Sequence, residues 1–325
     1  MKWIYIPAMV TLLAAPALSA ECGPLISYGT VPLKHFDGEA SDFVPVEIAG
    51  VPKLMLLDTG ADFTTMTSAV AQELSLSANR SDFQLYDVTG ARASSAVIAS
   101  IKIGTLRGDK IHFMLSPAST DFRDTRVAGL LGADILRNFD VAIDFGAHTF
   151  TLHDQKHCEG QVVYWPERPI AEIPIKLQRG YGILLTVTLD GKEVKAQLDT
   201  GASTSTLEKN KAEGAFGLTL GAADTPVVGN LNGTEGLTTW KHQFKSLTLA
   251  GIEVANPEIH IIPDKMSEQM SNWSTGSLLD KQAHETKEPP MLLGMNVLKH
   301  LHIYIAYKEK KLYITPASQP ASPAQ

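Results

Sequence analysis

The sequence predicts a mainly β protein made of two homologous lobes carried by one chain. Three observations predict it. One long pattern of residues occurs twice along the chain. Both copies consist of short β-type runs punctuated by glycine turns. The chain also has 325 residues, enough for two domains of ordinary size with a buried core each.

The first copy opens with Val44-Pro45-Val46-Glu47-Ile48, an alternating strand pattern. Gly50 turns the chain, and Leu54-Met55-Leu56-Leu57 leads into Asp58-Thr59-Gly60-Ala61. The second opens with Leu185-Thr186-Val187-Thr188-Leu189, turns at Gly191, and runs from Val194 to Leu198 into Asp199-Thr200-Gly201-Ala202. Gly50 precedes Asp58 by the same interval as Gly191 precedes Asp199. Downstream, Ile101-Lys102-Ile103-Gly104 corresponds to Leu247-Thr248-Leu249-Ala250-Gly251. Leu130-Leu131-Gly132-Ala133-Asp134 corresponds to Leu292-Leu293-Gly294-Met295-Asn296. Each copy closes with a strand pair, Val141 to Phe145 with Phe150 to His153, and Ile303 to Tyr307 with Lys311 to Thr315. Short helices are expected after each Leu-Leu-Gly element and over Ser68 to Leu74. The repeat is far longer than a solenoid unit, so a whole lobe is duplicated.

These copies set the expected organisation: a signal peptide over 1–20, an N-terminal segment over 21–39, lobe one over 40–155, a linker over 156–169, lobe two over 170–316 and a disordered tail over 317–325. Lys2 gives the leader a positive start, Trp3 to Leu13 is mostly apolar, Pro16 breaks it, and Ala17-Leu18-Ser19-Ala20 offers small residues for cleavage. The run is shorter than the about twenty apolar residues that a membrane span needs, and no later run approaches that length. The expected location is therefore exported, periplasmic or secreted, with no membrane span after cleavage. Residues 21–39 fit a short pro-segment, a pairing strand or a tether. Cys22 and Cys158 are the two cysteines, and in an oxidising compartment such a pair implies one disulfide. A formal net charge of −7 argues against nucleic acid as a partner. The polar stretch from Asp264 to Pro290 reads as a surface-loop insertion in lobe two.

One Asp-Thr-Gly is a weak signal. Two at equivalent places, each after an apolar strand and each followed by a Leu-Leu-Gly element, form a strong joint pattern. On these residues the chain resembles the aspartic peptidases of the retropepsin and pepsin superfamily. Leu57-Asp58-Thr59-Gly60-Ala61-Asp62 is especially similar to the retropepsin-like branch, including bacterial exported relatives. The resemblance covers both lobes. It implies a bilobal acid-protease fold, with two β-barrel-like lobes, short helices and a cleft between them. It also implies that Asp58 and Asp199 meet across a pseudo-twofold axis as the catalytic carboxylates, and that Thr59 and Thr200 cross-link their two loops. Gly60 and Gly201 permit tight turns and let backbone N–H groups approach the carboxylates. Two adjacent carboxylates share a proton, so one takes a proton from water while the other donates to the developing oxyanion. That chemistry requires neither metal nor organic cofactor. The implied partner is a polypeptide substrate. Retroviral relatives divide the two lobes between subunits, whereas this chain carries both and is expected to be a monomer.

Pepsin-like enzymes usually carry Ser or Thr after Asp-Thr-Gly, but here Ala61 and Ala202 stand there and donate no hydroxyl. The dyad pKa values are therefore expected to rise, placing activity at mildly acidic to neutral pH. Candidate flaps over the substrate are the Gly90 turn, with Tyr86 beside it, and the Gly233 turn. The ten histidines show no metal-ligand spacing, and His153, His157, His300 and His302 are expected to be satisfied or solvent-facing. Asp140 and Asp144 are read as surface or interface charges, and Asp134 and Asn296 as organisers of helix starts. Two other readings are a silent peptide-binding protein and a peptidase dedicated to one partner. Retention of both aspartates argues against the first, because a binding module needs neither carboxylate.

Overall fold

Alternating apolar residues make strands with one buried face. In the strand Val51–Leu57 the buried positions are Lys53, Met55 and Leu57, and in Ile183–Leu189 they are Ile183, Leu185, Val187 and Leu189. Lys53 is the polar exception, and its ammonium reaches the Glu73 carboxylate at 2.6 and 2.8 Å. In the computed structural model the described residues are 22–38, 40–86, 92–116, 122, 124–165, 170–178, 182–231, 235–264 and 289–317. The expected signal peptide, the 265–288 part of the insertion and the tail after Ala317 lie outside them.

Each lobe begins with a hairpin, Asp42–Ile48 with Val51–Leu57 and Ile183–Leu189 with Lys192–Leu198. Both central residues of each two-residue turn have positive φ: 49° and 83° at Ala49 and Gly50, 43° and 76° at Asp190 and Gly191. That pair of angles matches the twist of the flanking strands, and the second position is where glycine is strain-free. The strand leading into each Asp-Thr-Gly then pairs in parallel with a Leu-Leu-Gly strand. Val51–Leu57 lies beside Val127–Leu131, and Lys192–Leu198 beside Met291–Leu293. These pairings belong to an eight-stranded sheet in lobe one and a ten-stranded sheet in lobe two.

A third sheet joins the lobes. Its order is Ser27–Pro32, Thr149–His153, Asp140–Asp144, Leu301–Ala306, Lys311–Pro316, Ala171–Pro174. Three strands come from each half, and the halves meet antiparallel with Ile143 opposite Ile303. Ser27–Pro32 therefore makes a pairing strand of part of the 21–39 segment, matching Ala171–Pro174 in the second half. Cys22 and Cys158 form a disulfide that fastens this N-terminal stretch to the segment between the lobes.

Short helices follow both Leu-Leu-Gly elements, at Ala133–Leu136 and Met295–Leu298. Ser68–Glu73 is helical and N-capped by the Thr67 hydroxyl, which accepts from the Val70 N–H at 3.2 Å. Lobe two adds a helix the sequence did not announce, Lys209–Phe216, closed by left-handed Gly217. Its buried residue is Ala212, so the apolar periodicity that reveals a helix is nearly missing. No helix among the described residues is long and apolar enough to cross a membrane.

Of the two places expected for Asp140 and Asp144, surface or interface, the surface is excluded: both are buried in the sheet that joins the lobes. Asp140 Oδ2 lies 2.6 Å from His157 Nε2, and its Oδ1 accepts the Tyr307 N–H at 3.1 Å. Asp144 Oδ1 accepts from Gly146 and Ala147 and so shapes the following turn. A small second core of Ala142, Val162, Tyr304, Ala306 and Tyr313 covers this region. His153 is buried there with no hydrogen-bond partner among the described residues, contrary to expectation. Burial, helped by nearby His157, lowers its pKa to about 4, so the ring stays neutral and packs between Tyr164 and Tyr304. The strand is buried on both faces, which is why alternating charge misread it.

Candidate active site

Each motif aspartate stands one residue beyond a strand end and continues the parallel ladder. The Asp58 N–H donates to Leu131 O at 3.1 Å, and the Asp199 N–H to Leu293 O at 3.0 Å. The chain then folds back on the side chain. Asp58 Oδ1 accepts the Gly60 and Ala61 N–H groups at 2.9 Å each. Asp199 Oδ1 accepts those of Gly201 and Ala202 at 2.9 and 3.1 Å. One oxygen of each carboxyl is thereby fixed by its own loop.

The two loops meet. A methyl group on Gly60 would lie 2.6 Å from Asp199 Oδ2, and one on Gly201 would lie 2.6 Å from Asp58 Oδ1. Real Cβ atoms do not approach that closely, so glycine at both positions is what lets each carboxyl reach the opposite loop. The two carboxyls are near enough for each to shift the other's titration. Beneath them the threonines are fully reciprocal. The Thr59 N–H donates to Thr200 Oγ1 at 3.0 Å, and the Thr200 N–H to Thr59 Oγ1 at 3.1 Å. Each hydroxyl passes its own proton across the axis, Thr59 to Leu198 O at 3.1 Å and Thr200 to Leu57 O at 2.7 Å. Both side chains are buried, so all four bonds form away from water.

A further layer supports the loops. The Ala133 N–H donates to Ala61 O and the Met295 N–H to Ala202 O, both at 2.8 Å. Asp134 Oδ1 accepts from the Thr64 N–H at 2.8 Å and the Thr64 hydroxyl at 2.6 Å. Asn296 Oδ1 accepts equivalently from Ser205, at 2.7 and 2.8 Å. Thr64 and Ser205 escaped the sequence reading. Their signal was a hydroxyl residue at the same distance beyond each aspartate. Their oxygens also accept the N–H groups of Gly132 and Gly294, at 3.1 and 2.9 Å.

Burial, then the neighbouring Asp199 charge, holds the Asp58 carboxyl well above the ordinary carboxylate range. The N–H bonds from Gly60 and Ala61 oppose the rise without cancelling it. Burial also raises Asp199, against the pull of the Gly201 and Ala202 N–H groups and the hydrogen bond from Asp58. Both carboxyls are therefore raised, and two so close together titrate as a pair.

Of the candidate flap residues, Tyr86 ends the strand Asn79–Tyr86, opposite Arg92 across a hairpin. Gly90 lies outside the described residues. So does Gly233, which falls in sequence between the paired strands Val227–Asn230 and Thr238–Gln243.

The family model for aspartyl proteases matches the chain over two stretches, residues 44–135 and 185–297, each containing one Asp-Thr-Gly loop and its Leu-Leu-Gly partner. The chain belongs to the aspartyl protease family. Among solved structures, it is similar in fold to the aspartic proteinase from Irpex lacteus, at a TM-score of 0.50 and 13% identity over 91% of this chain and 99% of that one. It is likewise similar to Basic 7S globulin from soybean, at a TM-score of 0.50 and 9% identity over 91% of this chain and 95% of that one. No curated protein sequence matches the chain. Family and fold together support peptidase activity in general.

Proposed function

We propose that this protein is an aspartic endopeptidase that cleaves exported proteins or peptides through an Asp58–Asp199 dyad. The observation that carries the reading is the pair of carboxyls, each seated against the other lobe's motif glycine, an arrangement in which two carboxyls share one proton. Asp199 is the base. It takes a proton from a water molecule, whose oxygen attacks the scissile carbonyl carbon. Asp58 donates its proton to the carbonyl oxygen as negative charge develops there. Collapse of the tetrahedral species breaks the C–N bond: the proton gained by Asp199 passes to the departing amine, and a hydroxyl proton of the tetrahedral species returns to Asp58 as the new carbonyl forms. The Thr59–Thr200 bonds keep the carboxyls in register through these steps.

The leader-like sequence at residues 1–20 and the Cys22–Cys158 disulfide support export. The test is cleavage of a randomised peptide library between about pH 4 and 7, the window of the expected dyad titration. Wild type, Asp58→Asn and Asp199→Asn are compared. Cleavage by wild type and its loss in both variants is the expected result. Equal cleavage by all three would overturn the reading.

A further inference from the structure

The pseudo-twofold relation offers an internal control on every side chain of lobe one. At one corner the control is informative. The short strand Lys34–His35 pairs with the start of Asp42–Ile48, placing His35 opposite Asp42. The turn Phe145–His148 approaches the same corner, and the Leu33 N–H donates to His148 O at 2.7 Å. Lobe two builds the same corner. There Leu177 lies opposite Ile183, and the Ile175 N–H donates to Lys310 O at 2.9 Å. His148 and Lys310 even share a positive φ, 50° and 56°. Position by position, His35, Asp42 and His148 replace Leu177, Ile183 and Lys310. The fold does not need the three polar groups, since their counterparts make the same corner without them.

In lobe one the three side chains converge. His35 Nδ1 lies 3.0 Å from Asp42 Oδ1, and His148 Nδ1 lies 3.4 Å from Asp42 Oδ2. The imidazole rings are 5.6 Å apart. One ligand atom from each residue falls within 4.8 Å of the others, and this is the one such trio among the described residues. Ligands bound about 2.0–2.1 Å from a tetrahedral zinc ion stand roughly 3.3–3.4 Å from one another. The Asp42 side chain is 3% exposed, whereas those of His35 and His148 are 42% and 47% exposed. The carboxylate thus forms a buried floor and the imidazoles an open rim through which an ion enters. Two neutral imidazoles and one carboxylate suit a borderline divalent cation better than calcium or magnesium, which take oxygen ligands.

We propose that His35, Asp42 and His148 bind a divalent transition cation of the zinc class, with water completing the coordination. Asp144 supports the site from behind, because its carboxylate shapes the turn that presents His148. The bound ion ties three segments together: the N-terminal segment, the first strand of lobe one and a hairpin of the joining sheet. It shares no residue with the dyad.

The test is calorimetric titration of Zn2+ into untagged, metal-stripped protein with its disulfide intact. Wild type is expected to bind about one ion per chain, and His148→Ala to bind it at least about tenfold more weakly. The variant His35→Leu/Asp42→Ile/His148→Lys carries the residues lobe two uses at the same corner, so its fold is preserved; circular dichroism checks this. It is expected to lose the site, while Asp58→Asn/Asp199→Asn retains it. Substitution by Co2+ should give the intense visible bands of a tetrahedral site in wild type and not in the triple variant. Absence of binding by wild type overturns the proposal. So does binding that survives the triple variant, or that disappears with the dyad aspartates.

Discussion

At the scale of single residues, the proposed dyad depends on one proton being shared unequally. Neutralising either member removes base or acid, so Asp58→Asn and Asp199→Asn are each expected to lower kcat by about 10²–10⁴-fold. Steady-state kinetics on folded variants would check this. Both carboxyls are raised by burial, which moves the acid limb of the rate profile upward, and activity falls again as the pair loses its second proton. A maximum in mildly acidic to neutral solution is expected, and a sharp peak near about pH 2 would contradict that shift. The same proton affects stability. Asp58 holds its proton more tightly folded than unfolded, so its contribution to stability is full below the ordinary carboxylate pKa. That contribution is lost as pH rises through the raised value. Asp58→Asn should therefore raise the melting temperature relative to wild type near about pH 8 and leave it little changed near about pH 4. Thr59→Val leaves the buried Thr200 N–H without its acceptor and is expected to cost about 1–3 kcal/mol in a denaturant titration.

At the scale of elements, the loops rest on helix starts that leave no room for a side chain. A methyl on Gly132 would lie 2.6 Å from the backbone of Phe63, and one on Gly294 would lie 2.6 Å from that of Thr204. Backbone cannot swing aside as a side chain does. Gly132→Ala and Gly294→Ala are each expected to destabilise by about 1–3 kcal/mol and to reduce activity through misplaced carboxyls, read by parallel unfolding and kinetic assays. The elements that carry these loops were legible in the sequence for a physical reason. Lys192–Leu198 buries one face, so period-two alternation survives at Val194, Ala196 and Leu198, and duplication extends the reading to Val51–Leu57, whose run Leu54 to Leu57 is apolar throughout. Where burial is two-sided, as at Asp140–Asp144, alternation loses its meaning and buried carboxylates look like surface charge. Lys209–Phe216 stayed hidden because one small residue is all it buries. The corner of His35, Asp42 and His148 was invisible for another reason: its members lie on three separate segments, and only strand pairing brings them together.

At the scale of the whole molecule, both halves of the site reside in one chain, so specific activity per chain is expected to stay constant on dilution. Activity measured across protein concentration, alongside gel filtration, would check this. The Cys22–Cys158 bridge joins residues 136 apart in sequence. Replacing both with serine is expected to lower stability by about 2–5 kcal/mol in a urea titration, because the bridge restricts the unfolded chain. The joining sheet has a further consequence, for the order in which the protein is made. Asp140–Asp144 finds its neighbour only when Leu301–Ala306 has been synthesised, and the Asp199 strand finds its parallel partner only with Met291–Leu293. A chain emerging from its N-terminus therefore carries Asp58 long before the partner carboxyl has a seat. On the proposed dyad, a chain truncated before Met291–Leu293 is expected to show no cleavage in the peptide-library assay.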